Sequence, residues 1–253
     1  MPLTKMTYRT KTILSGKHLE VEMYPIFLGP KSCRCKKGKA SSKKQKNLND
    51  KNAKKNIIRL IHANFDEGDL MITLSYKDKH RPKTEEQAKK DIDNYLRRIR
   101  RYRQKNNLPE LKYIAVIEYK DEDEGKKVKI HHHLIMNCMD RDEAERIWGL
   151  GYDNTIRLEE DENGFEGITR YIIKDPKGKK RVKQSRNLKQ PIVKTKDNEV
   201  TKRTVNKLLK DIDRQDYFQR KYKKFKYVDS QIVINDITGI SVSIKMRKIE
   251  NSE

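Results

Sequence analysis

The sequence predicts an α+β fold: a ferredoxin-like βαββαβ antiparallel sheet with flanking helices and N- and C-terminal extensions. Two patterns carry that expectation. Apolar runs of strand length alternate with stretches of helical period, and two of the strands lie close enough in sequence to form a hairpin. The first strand is Leu70-Met71-Ile72-Thr73-Leu74-Ser75-Tyr76, ending near turn material at Asp78 to Pro82. A helix follows. Thr84 and Gln87 make a capping-box pair, and Ala88, Ile92, Leu96 and Ile99 recur on one face while the other is rich in Lys and Arg. Leu111 to Tyr119 and Val128 to Met136 are the next two strands, joined by the polar, Gly125-containing segment Lys120 to Lys127. Asp140 and Glu143 cap a short helix that ends near Gly149, and Thr155-Ile156-Arg157-Leu158 is the fourth strand. Phe165 to Lys174 adds a helix, stopped by Pro176.

These elements divide the chain into three stretches. Residues 65–191 form the central domain, 1–64 an N-terminal extension, and 192–253 a C-terminal helix and β-hairpin packed on the central domain. Within the extension, Leu19-Glu20-Val21-Glu22-Met23 alternates like a strand. Residues 31–55 are a basic connector with almost nothing to bury, either a solvated spacer or a phosphate-contacting arm. Toward the C-terminus, Val205, Leu208, Leu209 and Ile212 read as one amphipathic helix. Ile240, Val242, Ile244 and Met246 alternate with Ser241, Ser243, Lys245 and Arg247 as a strand with one wet face.

Composition narrows the function. The chain of 253 residues carries 60 Lys+Arg against 37 Asp+Glu, a formal net charge of +23, which attracts polyanions and points to nucleic acid first. The plainer reading of many of these lysines is solvated surface. Cys33, Cys35 and Cys138 are too few and too scattered for a disulfide framework, which fits a reducing compartment. The Cys33-x-Cys35 pair has no second pair at zinc-finger spacing to close a four-ligand site. No apolar run approaches the roughly 20 residues that span a bilayer. The first residues lack a signal-peptide core, so the expectation is a cytoplasmic protein without a membrane partner. There is no GxxxxGK[ST] phosphate loop to suggest an ATP-driven helicase within the sequence.

The chemistry concentrates in two places. In Ile130-His131-His132-His133-Leu134, strand alternation sends His131 and His133 to one face and His132 to the other, so the outer pair can grip one metal ion. If the hairpin turns near Glu124 and Gly125, Glu118 stands opposite His131 and shares its face. Asp121, Glu122 and Asp123 remain alternatives for the third ligand. Two imidazoles and a carboxylate leave open positions on a divalent ion for a phosphate oxygen. Tyr171 and Lys174, three apart on the later helix, share a face. Ile168 and Ile172 pack inward beside them, and Gly167 leaves the approach to Tyr171 clear of a side chain. A tyrosine hydroxyl can form a phosphodiester intermediate where the phosphate is polarised and the developing charge neutralised. Each feature alone has a plainer reading: a surface histidine run, a half-buried helix tyrosine, a strand-end acid.

Taken together, residues 69–191 resemble the HUH endonuclease superfamily, specifically the replication-initiation (Rep) proteins of rolling-circle plasmids and small single-stranded DNA phages. Met71 to Tyr76 is similar to the family's first motif strand, Ile130 to Met136 to its histidine metal motif, and Tyr171-Ile172-Ile173-Lys174 to its YxxK nucleophile motif. Glu118 is similar in placement to the family's acidic third ligand. The resemblance implies a Mg²⁺- or Mn²⁺-dependent nick in origin DNA through a 5′-phosphotyrosine on Tyr171, with Lys174 assisting. It also implies a 3′-OH for a host polymerase, and a host helicase as partner. The chain departs from the pattern at His132, where the family has an apolar residue. It also has Asp175 where two-tyrosine initiators place a second tyrosine, which leaves nearby Tyr152 as one of several ways to end the reaction. A mobilisation relaxase and a non-catalytic nucleic-acid-binding module are the competing readings. Relaxases more often place the tyrosine ahead of the histidines.

Overall fold

The computed structural model describes residues 5–28, 43–118, 129–173, 182–235 and 239–249. In chain order its elements begin with β1 (Lys5–Ser15), β2 (His18–Leu28), α1 (Lys43–His62), β3 (Leu70–Leu74), α2 (Glu85–Lys105), β4 (Tyr113–Glu118) and β5 (His131–Met136). They continue with α3 (Arg141–Trp148), β6 (Asp153–Arg157), α4 (Glu166–Ile172), β7 (Val182–Gln184) and β8 (Ile192–Asp197). The last are α5 (Lys202–Lys207), α6 (Asp211–Lys221), β9 (Phe225–Asn235) and β10 (Gly239–Lys248). The fold is α+β, with two antiparallel five-stranded sheets. They fall in two compact units, Asn47–Lys189 and the pairing of Met1–Lys46 with Gln190–Glu253. Among the described residues, no helix is long and apolar enough to cross a membrane.

In the unit Asn47–Lys189 the strand order is β6-β3-β5-β4-β7. Its first four strands, taken with α2 and α3, give the ferredoxin-like order expected of βαββαβ, and β7 is added beside β4. Both faces are covered. Leu70, Ile72, Leu74, Ala115, Ile117, Leu134 and Met136 pack with Tyr95, Leu96 and Ile99 of α2 and Trp148 of α3. On the opposite face Met71, Ile114, Val116 and Ile135 pack with Leu60 and Ile61 of α1 and Phe165 and Ile172 around α4. Because both faces are buried, these strands read as nearly continuous apolar runs. The helix ends follow the expected chemistry. Thr84 accepts from the Gln87 N–H and Asp140 from the Glu143 N–H, while Gly149 closes α3 in the left-handed conformation at φ 66°. Buried Arg103 ties the end of α2 to the sheet, donating to the carbonyls of Pro109, Asn137 and Cys138.

The second unit joins the two ends of the chain in one sheet, ordered β8-β1-β2-β10-β9. The C-terminal strands β8, β9 and β10 share this sheet with β1 and β2. Leu19, Val21 and Met23 of β2 and Val242, Ile244 and Met246 of β10 turn to one cluster, completed by Val205, Leu208 and Phe218 from the helical segment. The single helix expected through Val205 and Ile212 is two helices instead. Leu208 caps α5, α6 starts after Lys210, and Ile212 is left 77% exposed. Buried Arg214 holds the break, bonding the Leu208 and Leu209 carbonyls and, across the unit, Ser230 Oγ.

Candidate metal and nucleophile site

The β4–β5 ladder places Glu118 opposite His131, the register that hairpin symmetry predicts. Two residues on, His133 returns to the same face. Glu118 Oε2 lies 3.2 Å from both His131 Nε2 and His133 Nε2, and the ligand atoms of the three residues lie within 4.8 Å of one another. The two imidazoles meet edge to face, centroids 4.9 Å apart.

The outer nitrogens decide what the inner ones offer. His131 Nδ1 is 2.9 Å from the Lys129 carbonyl, which only accepts, so Nδ1 carries a proton, and in the neutral tautomer that leaves Nε2 to present a lone pair toward Glu118. His133 Nδ1 is 3.1 Å from Thr73 Oγ1, a hydroxyl that can donate or accept and that holds the ring's orientation in either tautomer. Lone pairs facing a carboxylate at 3.2 Å repel unless a cation or a proton stands between them. Two ligand atoms on adjacent corners of an octahedron with bonds of about 2.1 Å stand about 3.0 Å apart. The nitrogen–nitrogen–oxygen set therefore fits a divalent ion and leaves positions open.

Tyr171 belongs to the same face. Phe165 and Ile172 are buried against α1 and the sheet, and the Phe165 N–H donates to His62 Nε2 of α1, which fixes where α4 begins. That anchoring delivers the Tyr171 ring to His133, centroids 5.7 Å apart, while leaving it 52% exposed. Ile172 is buried as expected and Ile168 packs partly against the same cluster. A Cβ added at Gly167 would meet the Asp161 carboxylate at 3.4 Å. Lys174 lies outside the described residues. So do Asp175, the turn acids Asp121, Glu122 and Asp123, and Cys33 and Cys35.

His132 faces the other way, as alternation requires. It is fully buried, with Nε2 2.7 Å from the Tyr76 hydroxyl and its ring 5.8 Å from Trp148. Burial, followed by the flanking His131 and His133, lowers its pKa to about 3, so the ring is neutral. Burial and Asp91 raise the Tyr76 pKa, keeping that phenol protonated. Sequence reading separated His132 from the pair but did not give it this partner. It also missed Thr73, whose signal was available: it is the single polar residue of Leu70–Leu74.

Residues 69–176 match the family model of the replication-associated protein ORF2/G2P. The matched stretch holds every strand and helix of the βαββαβ core, together with Glu118, His131, His133 and Tyr171. It agrees with the resemblance to rolling-circle initiators drawn from the same residues, and a replication-associated family implies work on DNA. No curated protein and no solved structure matches the chain.

Proposed function

We propose that the protein nicks and rejoins single-stranded DNA at a replication origin through a 5′-phosphotyrosine on Tyr171, and thereby initiates rolling-circle replication. The observation that carries this reading is the convergence of Glu118, His131 and His133 on one point, with the Tyr171 ring packed on His133 at 5.7 Å. A bound Mg²⁺ or Mn²⁺ would polarise a non-bridging phosphate oxygen and offset the charge of the transition state. His131, His133 and Glu118 would hold that ion, with Lys129 and Thr73 fixing the two rings.

Tyr171 Oη attacks the phosphorus and loses its phenolic proton. The bond from phosphorus to the 3′-oxygen breaks, and that oxygen takes up a proton to become the 3′-OH that a host polymerase extends. One phosphodiester replaces another, so joining is the same step reversed and needs no nucleotide hydrolysis. Lys174, in this reading, neutralises or orients the phosphate, and a host helicase opens the duplex.

Incubation with Mn²⁺ and single-stranded oligonucleotides tiled across the genetic element encoding the protein tests this. A covalent protein–DNA band is expected, with the link mapping to Tyr171. Tyr171→Phe should abolish the band and leave DNA binding largely intact. A Phe variant that still forms the adduct removes Tyr171 as nucleophile. Wild-type protein that binds DNA in a salt-dependent way but makes no adduct favours a non-catalytic binding module.

A further inference from the structure

We propose that Tyr152, with Lys77 beside it, positions the DNA strand by stacking on a base next to the phosphate at the Glu118–His131–His133 site. The inference rests on the nicking reading above and gives that site a named contact for the nucleotide. Strand register places Tyr152 there. The β3–β5 pairs run from Leu70↔Met136 to Leu74↔His132, so the next pair in register is Ser75 with His131. The β3–β6 pairs run from Leu70↔Arg157 to Leu74↔Asp153 and extend to Ser75 with Tyr152. Ser75 confirms that extension, its N–H and its hydroxyl both donating to the Tyr152 carbonyl at 2.8 and 3.0 Å. Tyr152, Ser75, His131 and Glu118 therefore form one row across the sheet, on the face that carries Thr73 and His133. With neighbouring strands roughly 4.8 Å apart, Tyr152 stands about 10 Å from His131.

The backbone that carries Tyr152 is held tightly. Gly149 adopts φ 66°, the Lys77 N–H donates to the Leu150 carbonyl at 3.1 Å, and a Cβ on Gly151 would collide with the Ser75 carbonyl oxygen and Tyr76 Cα. Only glycine at 151 lets the loop lie this close to the end of β3. Yet the side chain it delivers is 65% exposed, with the Lys77 ammonium 5.7 Å from the ring centroid. A large aromatic ring on a fixed backbone, open to solvent and flanked by a cation, is the chemistry that takes a nucleobase on its face and a phosphate at its edge.

The test uses the full chain and a mixed-sequence single-stranded oligonucleotide carrying 2-aminopurine, whose fluorescence falls when the base stacks. Titration should quench the probe with wild-type protein. Tyr152→Ala should weaken binding about tenfold or more and remove the quench, while Tyr152→Phe and Tyr152→Trp should retain both. Lys77→Ala should weaken binding and flatten its salt dependence with the quench preserved. In the adduct assay, Tyr152→Ala should raise the oligonucleotide concentration for half-maximal rate and leave the saturated rate within about threefold. Equal quenching and affinity in wild type and Tyr152→Ala would overturn the proposal. So would loss of function in Tyr152→Phe, or an adduct mapped to Tyr152, since either assigns the role to the hydroxyl. The binding arm reads out even if no adduct forms, so failure of the nicking reading and failure of this one are separable.

Discussion

The two sheets have the same number of strands but different burial, and the contrast shows where to look for function. In the sheet of β8-β1-β2-β10-β9, the apolar residues of β2 and β10 alternate onto one face, with Glu20, Glu22, Ser243 and Lys245 on the other. A polar residue there is unremarkable, because half of every strand is expected to be polar. The sheet of β6-β3-β5-β4-β7 is covered on both faces, so Thr73, Glu118, His131 and His133 interrupt an apolar surface and must be satisfied there. They satisfy one another in a geometry suited to a divalent ion. Each unit uses a buried arginine on backbone carbonyls to hold a helix end, Arg103 in one and Arg214 in the other, so this device is structural in both.

The largest effect should separate the sheets by chemistry. Glu118→Gln and His133→Ala should each reduce metal-dependent adduct formation by at least a hundredfold. Glu22→Gln, a like change in the other sheet, should leave adduct formation unaltered; a comparable loss there would break the contrast. Next come the arginine clamps. Arg103→Leu and Arg214→Leu each strand several carbonyls and should cost about 3 kcal/mol, measured by urea unfolding with a probe in each unit. Equal softening of both probes by either variant would deny the units separate stability. A third effect concerns charge in the unit that has no metal-type cluster among its described residues. There Lys202, Arg203, Lys207, Lys210 and Arg220 line a concavity of about 940 Å³, with Asp213 as its one acid. Lys207→Glu combined with Arg220→Glu should lower duplex affinity and reduce the salt slope by roughly 2, with adduct formation on a short saturating oligonucleotide preserved. The smallest effect belongs to His132→Val, which removes the Tyr76 hydrogen bond and should cost about 1–2 kcal/mol while sparing metal binding.

Period and spacing made much of the central unit legible. Capping residues marked the starts of α2 and α3, and the polar segment between β4 and β5 fixed the register that sets Glu118 against His131. Parity along one strand separated His132 from its neighbours before any partner was known. What stayed hidden depends on contacts distant in sequence. Nothing local to Lys5–Leu28 says that it pairs with β10, some 220 residues later by the Met23↔Val242 register. The division of α5 from α6 reflects Arg214 bonding two carbonyls, which overrides an unbroken apolar period at Val205, Leu208, Leu209 and Ile212. Tyr76 as the partner of His132 required the fold of β3 against β5, and the seating of Tyr171 on His133 required α1 beneath α4.

The measurement that bears most directly on this account is Mn²⁺ binding, followed by the electron paramagnetic resonance of free Mn²⁺, in wild type, His131→Ala and His132→Val. One site per chain is expected in wild type, with affinity at least tenfold weaker in His131→Ala and unchanged within about twofold in His132→Val. Equal loss in both variants, or wild-type protein that leaves the free Mn²⁺ signal untouched, would contradict a metal site built from one face of the doubly covered sheet.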